Sequence, residues 1–302
     1  MATRILVSGG TGSVGVLLCD YLTSKGYEVS ILSRTRRAGS KYTTFLWDYK
    51  DQFIEEQAFD NCDYIVHLAG AGIADKAWTN ERKKEIIDSR VETTKLIYRS
   101  LAKRKHQIKA IVSASAVGFY GQQTSPVIFK EQDAPGNDFV AQVCKQWEEE
   151  TRPFENLGIR TVNLRIGIVL MQKGGALEKM VQPFKMNIGS ALGTGKQFIP
   201  WIHGKDLIRI ISKALEENSM SNAYNCAAPD PVDNIGFSRA IAKKLGKSMW
   251  LPKVPVFVLK LILGERSILL TEGSRVSSDK ILQTEFKFEF PDLESALDDL
   301  LQ

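Results

Sequence analysis

Histidine appears only three times in these 302 residues and cysteine four times, as Cys19, Cys62, Cys144 and Cys226. With so few imidazoles and no closely spaced cysteine pair, a histidine-rich metal centre and a zinc module are excluded, and no metal is expected. Four scattered cysteines in a chain of this length lack the density of a disulfide framework. They are expected to be buried thiols in a reducing compartment, which points to the cytoplasm. Long apolar runs are missing too. The longest, residues 254–264, is broken by Lys260 and is far too short to span a bilayer, so no membrane partner is expected. A strand pattern begins directly at the N-terminus, where a signal peptide would otherwise be read. Charge of one sign is never concentrated. The net charge of +5 is spread along the chain, and the densest basic cluster, residues 34–41, is too short for a nucleic-acid surface.

What is present reads as an α/β protein. A hydrophobic content of 43% and a charged content of 25% are ordinary globular values, and the length fits one large domain or a domain with a smaller lobe. Short apolar runs at 4–8, 28–33, 45–47, 64–68 and 110–113 predict strands. Amphipathic stretches at 14–25, 80–103 and 139–156 predict helices, and a further strand is expected over 161–170. This alternation predicts a Rossmann-like, doubly wound parallel sheet with helices on both faces. Beyond residue 172 glycines and prolines punctuate a loop-rich stretch, followed by a helix-like segment at 205–217. The expected organisation is a nucleotide-binding region over 1–170 and a smaller α/β substrate-type region over 171–302, interwoven with the core and without a clean linker.

The first motif is I-L-V-S-G-G-T-G-S-V-G, with Gly9, Gly12 and Gly15 spaced G-x-x-G-x-x-G between a strand and a helix. A pyrophosphate at such a turn meets backbone N–H groups and the positive end of the helix, and glycine permits the close approach. Thr11, Ser13 and Val14 share the turn and are expected to contact the cofactor through it. The next strand ends in L-S-R-T-R-R. An acidic residue there would meet a ribose 2′-hydroxyl, but this chain offers Ser33, Arg34, Arg36 and Arg37, the chemistry of a 2′-phosphate. NADP(H) is the expected cofactor.

The chain resembles an extended short-chain dehydrogenase/reductase of the NAD-dependent epimerase/dehydratase superfamily, in the subgroup called epimerase family proteins or nucleoside-diphosphate-sugar epimerases. The resemblance covers nearly the whole length. It rests on the glycine loop, Y-I-V-H-L-A-G-A-G-I at 64–73, S-R-V-E-T-T at 89–94, S-A-S-A-V-G-F-Y-G at 113–121, V-C-K-Q-W-E at 143–148, L-R-I-G-I-V-L at 164–170, W-I-H-G-K-D-L at 201–207 and Y-N-C-A-A-P at 224–229. It implies that Leu68 and Ala69 line the adenosine side, that Arg90 reaches a phosphate with Glu85 orienting it, and that Val169 lies near the nicotinamide. Glu85 and Arg90 read equally as a surface ion pair, and Val169 as a core residue. Relatives commonly dimerise through their fourth and fifth helices, so a homodimer is what the resemblance implies.

One departure matters. Active relatives place a Ser, a Tyr and a Lys beside the nicotinamide, the Lys lowering the Tyr pKa so that it can act as a base. Aligned on Trp147-Glu148, this chain keeps the Ser as Ser115 but carries Val140 and Cys144 in place of the pair. Lys145 is rotated about 100° around the helix and does not substitute. Tyr120 and Cys144 are the candidate replacements, each reading also as a packing residue. Two functions stay open: an NADP(H)-dependent oxidoreductase or epimerase acting on an unknown small molecule, such as a nucleotide-sugar, and a catalytically silent NADP(H)-binding regulatory or interaction protein. Trp201, His203, Lys205 and Asp206, with the glycine-rich loop 173–200, are candidate pocket groups. None of them specifies a substrate.

Overall fold

A computed structural model describes residues 2–36 and 39–302. The first half lays down β1 (Arg4–Ser8), α1 (Ser13–Ser24), β2 (Glu28–Ser33), β3 (Thr43–Asp48), the short β4 (Phe53–Ile54), β5 (Tyr64–His67), α2 (Asn80–Ala102), β6 (Ala110–Ala116), β7 (Ile128–Phe129), α3 (Phe139–Glu149) and β8 (Arg160–Ile166). The second half adds β9 (Ile168–Leu170), α4 (Gly175–Lys185), β10 (Trp201–His203), α5 (Gly204–Glu216), β11 (Asn222–Cys226), α6 (Asn234–Lys244), α7 (Val256–Leu263), α8 (Ile268–Thr271), β12 (Arg275–Val276), α9 (Asp279–Leu282) and α10 (Leu293–Leu300).

Eight strands form one sheet in the order β11-β8-β6-β5-β1-β2-β3-β4. All its pairings are parallel except β3–β4 at the edge. Buried on both faces, the central strands carry near-continuous apolar runs, such as Ile5, Leu6 and Val7 or Ile111 and Val112. One face packs on α1 and α5 through Leu18, Leu22, Leu207 and Ile211. The other packs on α2 through Leu96, Ile97 and Leu101. The chain winds outward in opposite directions from β1 and β5, so the crevice at their C-terminal ends is a topological switch point, where this architecture binds ligands.

Three expectations are revised. The strand expected over 161–170 is two strands: after Ile166 the ladder changes partner, with Gly167 N–H donating to the Cys226 carbonyl and Ile168 N–H to that of Pro200, and β9 pairs with β10 in a separate sheet. The helix expected over 139–156 stops at Glu149 and tightens into a 3-10 turn over Arg152–Leu157, because Pro153 has no N–H for an α-helical bond. The loop expected over 173–200 contains α4, anchored in a second core by Leu177, Val181 and Phe184. From beyond residue 170, β11 returns to complete the main sheet. No helix among the described residues is long and apolar enough to cross a membrane.

Candidate cofactor crevice and adjoining cavity

The glycine loop closes the gap between β1 and α1. Gly9 has φ +75°, and a Cβ there would lie 2.9 Å from the Leu68 carbonyl carbon; one on Gly15 would lie 2.1 Å from the Gly9 oxygen. Both positions require glycine, and the result is a bare backbone cradle. Gly12 caps α1 without a side-chain hydrogen bond, and the first turn carries no acid. By contrast, Thr79, Asp138, His203 and Asp233 cap α2, α3, α5 and α6 with their side chains. The leading N–H groups of α1, at Ser13, Val14 and Gly15, are thus left for an anion. Thr11, Gly12 and Ser13 are exposed, and Gly174 stands opposite Ser13 across the crevice, where a Cβ would come 3.2 Å from its hydroxyl.

The crevice floor is held by a histidine that sequence reasoning did not single out. His67, fully buried at the end of β5, shares a 2.6 Å hydrogen bond with the Ser8 hydroxyl, and its other nitrogen lies 3.1 Å from Thr94 Oγ1. Its ring stands edge-on to Trp47 and Trp147. Burial holds its pKa down to about 3, so it is neutral and structural. Leu68 and Ala69 follow, half-buried, with Leu68 N–H donating to the Ser8 carbonyl.

Arg90 lies beside this turn, its guanidinium where a Cβ on Gly70 would be 2.9 Å from Cζ. It sits 5.0 Å over Trp147 and donates Nη1 to the Ala71 and Ile86 carbonyls. Burial lowers its pKa to about 10, which leaves it charged at neutral pH. Glu85 does not orient it. That carboxylate pairs with Arg82 at 2.7 Å instead, because Glu85 is three residues from Arg82 but five from Arg90, on a different helix face. Among the described residues no carboxylate lies within salt-bridge distance of Arg90.

At the end of β2, Ser33 is half-buried and Arg34 exposed without an ion pair among the described residues. Arg36 is tied to Glu55, which also accepts from Leu46 N–H. Arg37 lies outside the described residues. Val169, half-buried on β9, packs against the core behind the crevice.

The candidate catalytic groups lie at the end of β6 and on α3, inside a buried polar chain. Ser115 donates to Glu148 Oε1 at 2.6 Å, and Arg165 clamps both Glu148 oxygens at 2.9 Å each. Arg165 Nη1 then donates to the Tyr120 hydroxyl at 2.8 Å and to the Glu131 carbonyl at 3.0 Å, and Tyr120 donates to Asn225 Oδ1 at 2.7 Å. Tyr120 is completely inaccessible and stacked on Phe129, and burial pushes its pKa up to about 12. The expectation that it approaches a substrate is therefore corrected: its hydroxyl is consumed in the interior. Cys144 is 3% exposed, and burial, with Glu148 adding to it, pushes the thiol up to about 12 despite the nearby Arg90. Lys145 points to solvent and pairs with Glu149. Glu148, Arg165 and Asn225 were missed from the sequence because nothing local marks them.

The residues 201–206 are not pocket groups. Trp201 is buried in the core beneath α4. His203 caps α5 and stacks on Phe290 at 3.8 Å between centroids. Asp206 is fully buried, accepts the Glu289 and Phe290 N–H groups and pins the C-terminal segment. Lys205 pairs at the surface with Asp299.

Beside the end of β6 opens a cavity of about 530 Å³. Trp78, Asp138, Phe139 and Val140 form one wall, and α7, α8 and their connection form the other. Val140 packs directly on Gly118 and, with Cys144 and Ala116, belongs to the apolar cluster where α3 meets the end of β6.

Residues 5–227 match the model of the NAD dependent epimerase/dehydratase family. The chain belongs to that family. Residues 254–300 match a second model, a domain of unknown function, DUF1731. Over 299 residues, 99% of this chain and 98% of the relative, it is 37% identical to the epimerase family protein YfhF of Bacillus subtilis. The crystal structure of human epimerase family protein SDR39U1 (isoform2) with NADPH superimposes with a TM-score of 0.88 at 32% identity, covering 99% of each chain. UDP-glucose 4-epimerase from Thermus thermophilus in complex with NAD, at 19% identity and a TM-score of 0.78 over 97% of this chain and 96% of that one, shares the fold.

Proposed function

We propose that this family member binds NADPH in the β1–β5 crevice and acts as an oxidoreductase or epimerase on a small molecule held in the adjoining cavity, without the usual Tyr–Lys pair. The observation that carries this reading is the pairing of an uncapped α1 N-terminus with a carboxylate-free, half-buried Arg90 on the opposite lip. A buried cation without an anion is costly, and a phosphate supplies the missing partner. NADPH binding by the human relative supports it.

The glycine turn and α1 N–H groups would hold the pyrophosphate, and Arg34, with Arg37, the 2′-phosphate. Once bound, NADPH supplies a hydride. Ser115, its proton committed to Glu148, keeps oxygen lone pairs as acceptors and orients rather than ionises. The test is calorimetric titration with NADPH and with NADH, on wild type and Arg34→Ala. The expected result is submicromolar NADPH binding, much weaker NADH binding, and a loss confined to NADPH in the variant. Equal affinity for both cofactors would refute the arginine reading.

A second reading has its own support. Both candidate replacement groups, Tyr120 and Cys144, are buried and held protonated at neutral pH, as in a protein that binds NADPH and performs no chemistry. Stereospecific hydride exchange from labelled NADPH onto a panel of carbonyl compounds separates the two.

A further inference from the structure

The cavity beside β6 is built mostly by the C-terminal segment. Of its lining residues, Val256, Lys260, Glu265, Ile268, Thr271 and Glu272 all come from the DUF1731-like region, 254–300. Its volume, about 530 Å³, is that of a small-molecule site.

Its charge is the informative property. Three carboxylates line it, Asp138, Glu265 and Glu272, against one lining cation, Lys260. Among the described residues no arginine and no histidine lines it. Lys83, behind Phe139, neutralises Glu265. Asp138 is occupied by the N–H groups of Ala141 and Gln122, which fix it as the α3 cap. Glu272 accepts from Thr124 through one oxygen only, and among the described residues its other oxygen has no hydrogen-bond donor. With both lysines counted, the site carries one net negative charge. A nucleoside diphosphate brings about two more, and sites for such groups gather arginines or helix N-termini around them. Here the α3 N-terminus is already filled by Asp138. The remaining lining is largely apolar, Trp78, Phe139, Val140, Val256 and Ile268, with Gly264 and the hydroxyl-bearing Ser267 and Thr271, of which Ser267 donates to the Gly264 carbonyl.

We infer that the DUF1731-like segment is the substrate wall of this protein, and that the cavity takes a neutral or cationic molecule with an aromatic or aliphatic body, not a nucleoside diphosphate sugar. The inference rests on the proposed function, in which NADPH binds the β1–β5 crevice and Ser115 at the end of β6 orients the molecule in the adjoining cavity, and it names the substrate class of that site.

Saturation-transfer NMR on the full chain, with and without NADPH, tests it using acetophenone, benzylamine and UDP-glucose. Saturation of acetophenone or benzylamine is expected, with UDP-glucose silent. Ile268→Trp fills the cavity from α8 and is expected to weaken the bound probe about tenfold or more, leaving NADPH affinity unchanged. Lys260→Trp, at an exposed position on α7, does the same without disturbing packed core. UDP-glucose binding that Ile268→Trp abolishes would overturn the assignment, as would silence from all three probes or binding that neither substitution alters. If NADPH fails to bind while the probes bind wild type and are lost in both variants, the cofactor reading falls alone and the substrate wall stands.

Discussion

The buried chain Ser115–Glu148–Arg165–Tyr120 should be costly to break on one side, and Arg165→Met measures that cost. In the native protein Arg165 makes two 2.9 Å bonds to Glu148, one to Tyr120 and one to the Glu131 carbonyl, with side-chain exposures of 5% and 10% for the arginine and the glutamate. Methionine keeps the bulk but leaves the Glu148 carboxylate, among the described residues, with Ser115 alone as a hydrogen-bonding partner. Breaking one side of a buried pair costs about 3–5 kcal/mol. With an unfolding entropy of about 2.1 cal/mol/K per residue over 302 residues, that lowers Tm by roughly 5–8 °C. The second half of the cycle is the double variant Arg165→Met/Glu148→Leu, which removes both charges. It should recover much of the loss, because apolar replacement of a whole buried pair is often neutral. Urea titrations of wild type, both single variants and the double variant give the coupling directly. A single-variant cost under about 1 kcal/mol, or costs that add within about 0.5 kcal/mol, would refute the reasoning.

Arg90→Met is expected to weaken NADPH binding about 10- to 100-fold, the worth of a charge-assisted phosphate contact, with Tm unchanged or raised; calorimetry and a thermal melt check both. Burial pushes Cys19, Cys62 and Cys144 up to about 12 and Cys226 higher still, so Ellman's reagent at neutral pH should find no rapidly reacting thiol in the folded protein and four in guanidinium. His67, depressed to about 3 from 6.5, is neutral when folded and protonated when unfolded below pH 6.5. Its contribution is present above that value and is lost as pH falls toward 3, amounting to about 2 kcal/mol between pH 7 and pH 5. Urea denaturation at the two pH values should show this loss, with His203, also depressed by burial, adding to it. His67→Gln should flatten the dependence by about the same amount.

The parts of this molecule that could be read from sequence are those whose cause is local. The glycine turn is legible because steric demands at Gly9 and Gly15 leave no other residue possible, and the sheet because strands buried on both faces are apolar without interruption. The Arg82–Glu85 pairing was open to inspection as well, since i, i+3 spacing favours it over the five-residue step to Arg90. Helix α4 carries Leu177, Val181 and Phe184 at helical spacing, but Gly174, Gly175 and Pro183 masked the pattern. What stayed hidden is what the fold alone assembles. Arg165 and Glu148 are 17 residues apart, Asn225 and Tyr120 are 105 apart, and no spacing rule links them. The isolation of Tyr120 follows from the same fact: its burial is decided by residues supplied from other strands.

The return of β11 to the main sheet has a consequence for synthesis. Strand β8 ends at Ile166 and its outer partner ends at Cys226, so for 60 residues of translation a long, largely buried strand is an open edge. At roughly 5–20 residues per second this window lasts about 3–12 s, time enough for an unpaired apolar edge to recruit another chain. The nascent polypeptide should depend on chaperone cover between the emergence of β8 and that of β11. A ribosome stalled inside that interval should yield a protease-sensitive, aggregation-prone product, and one stalled after β11 has emerged a resistant one.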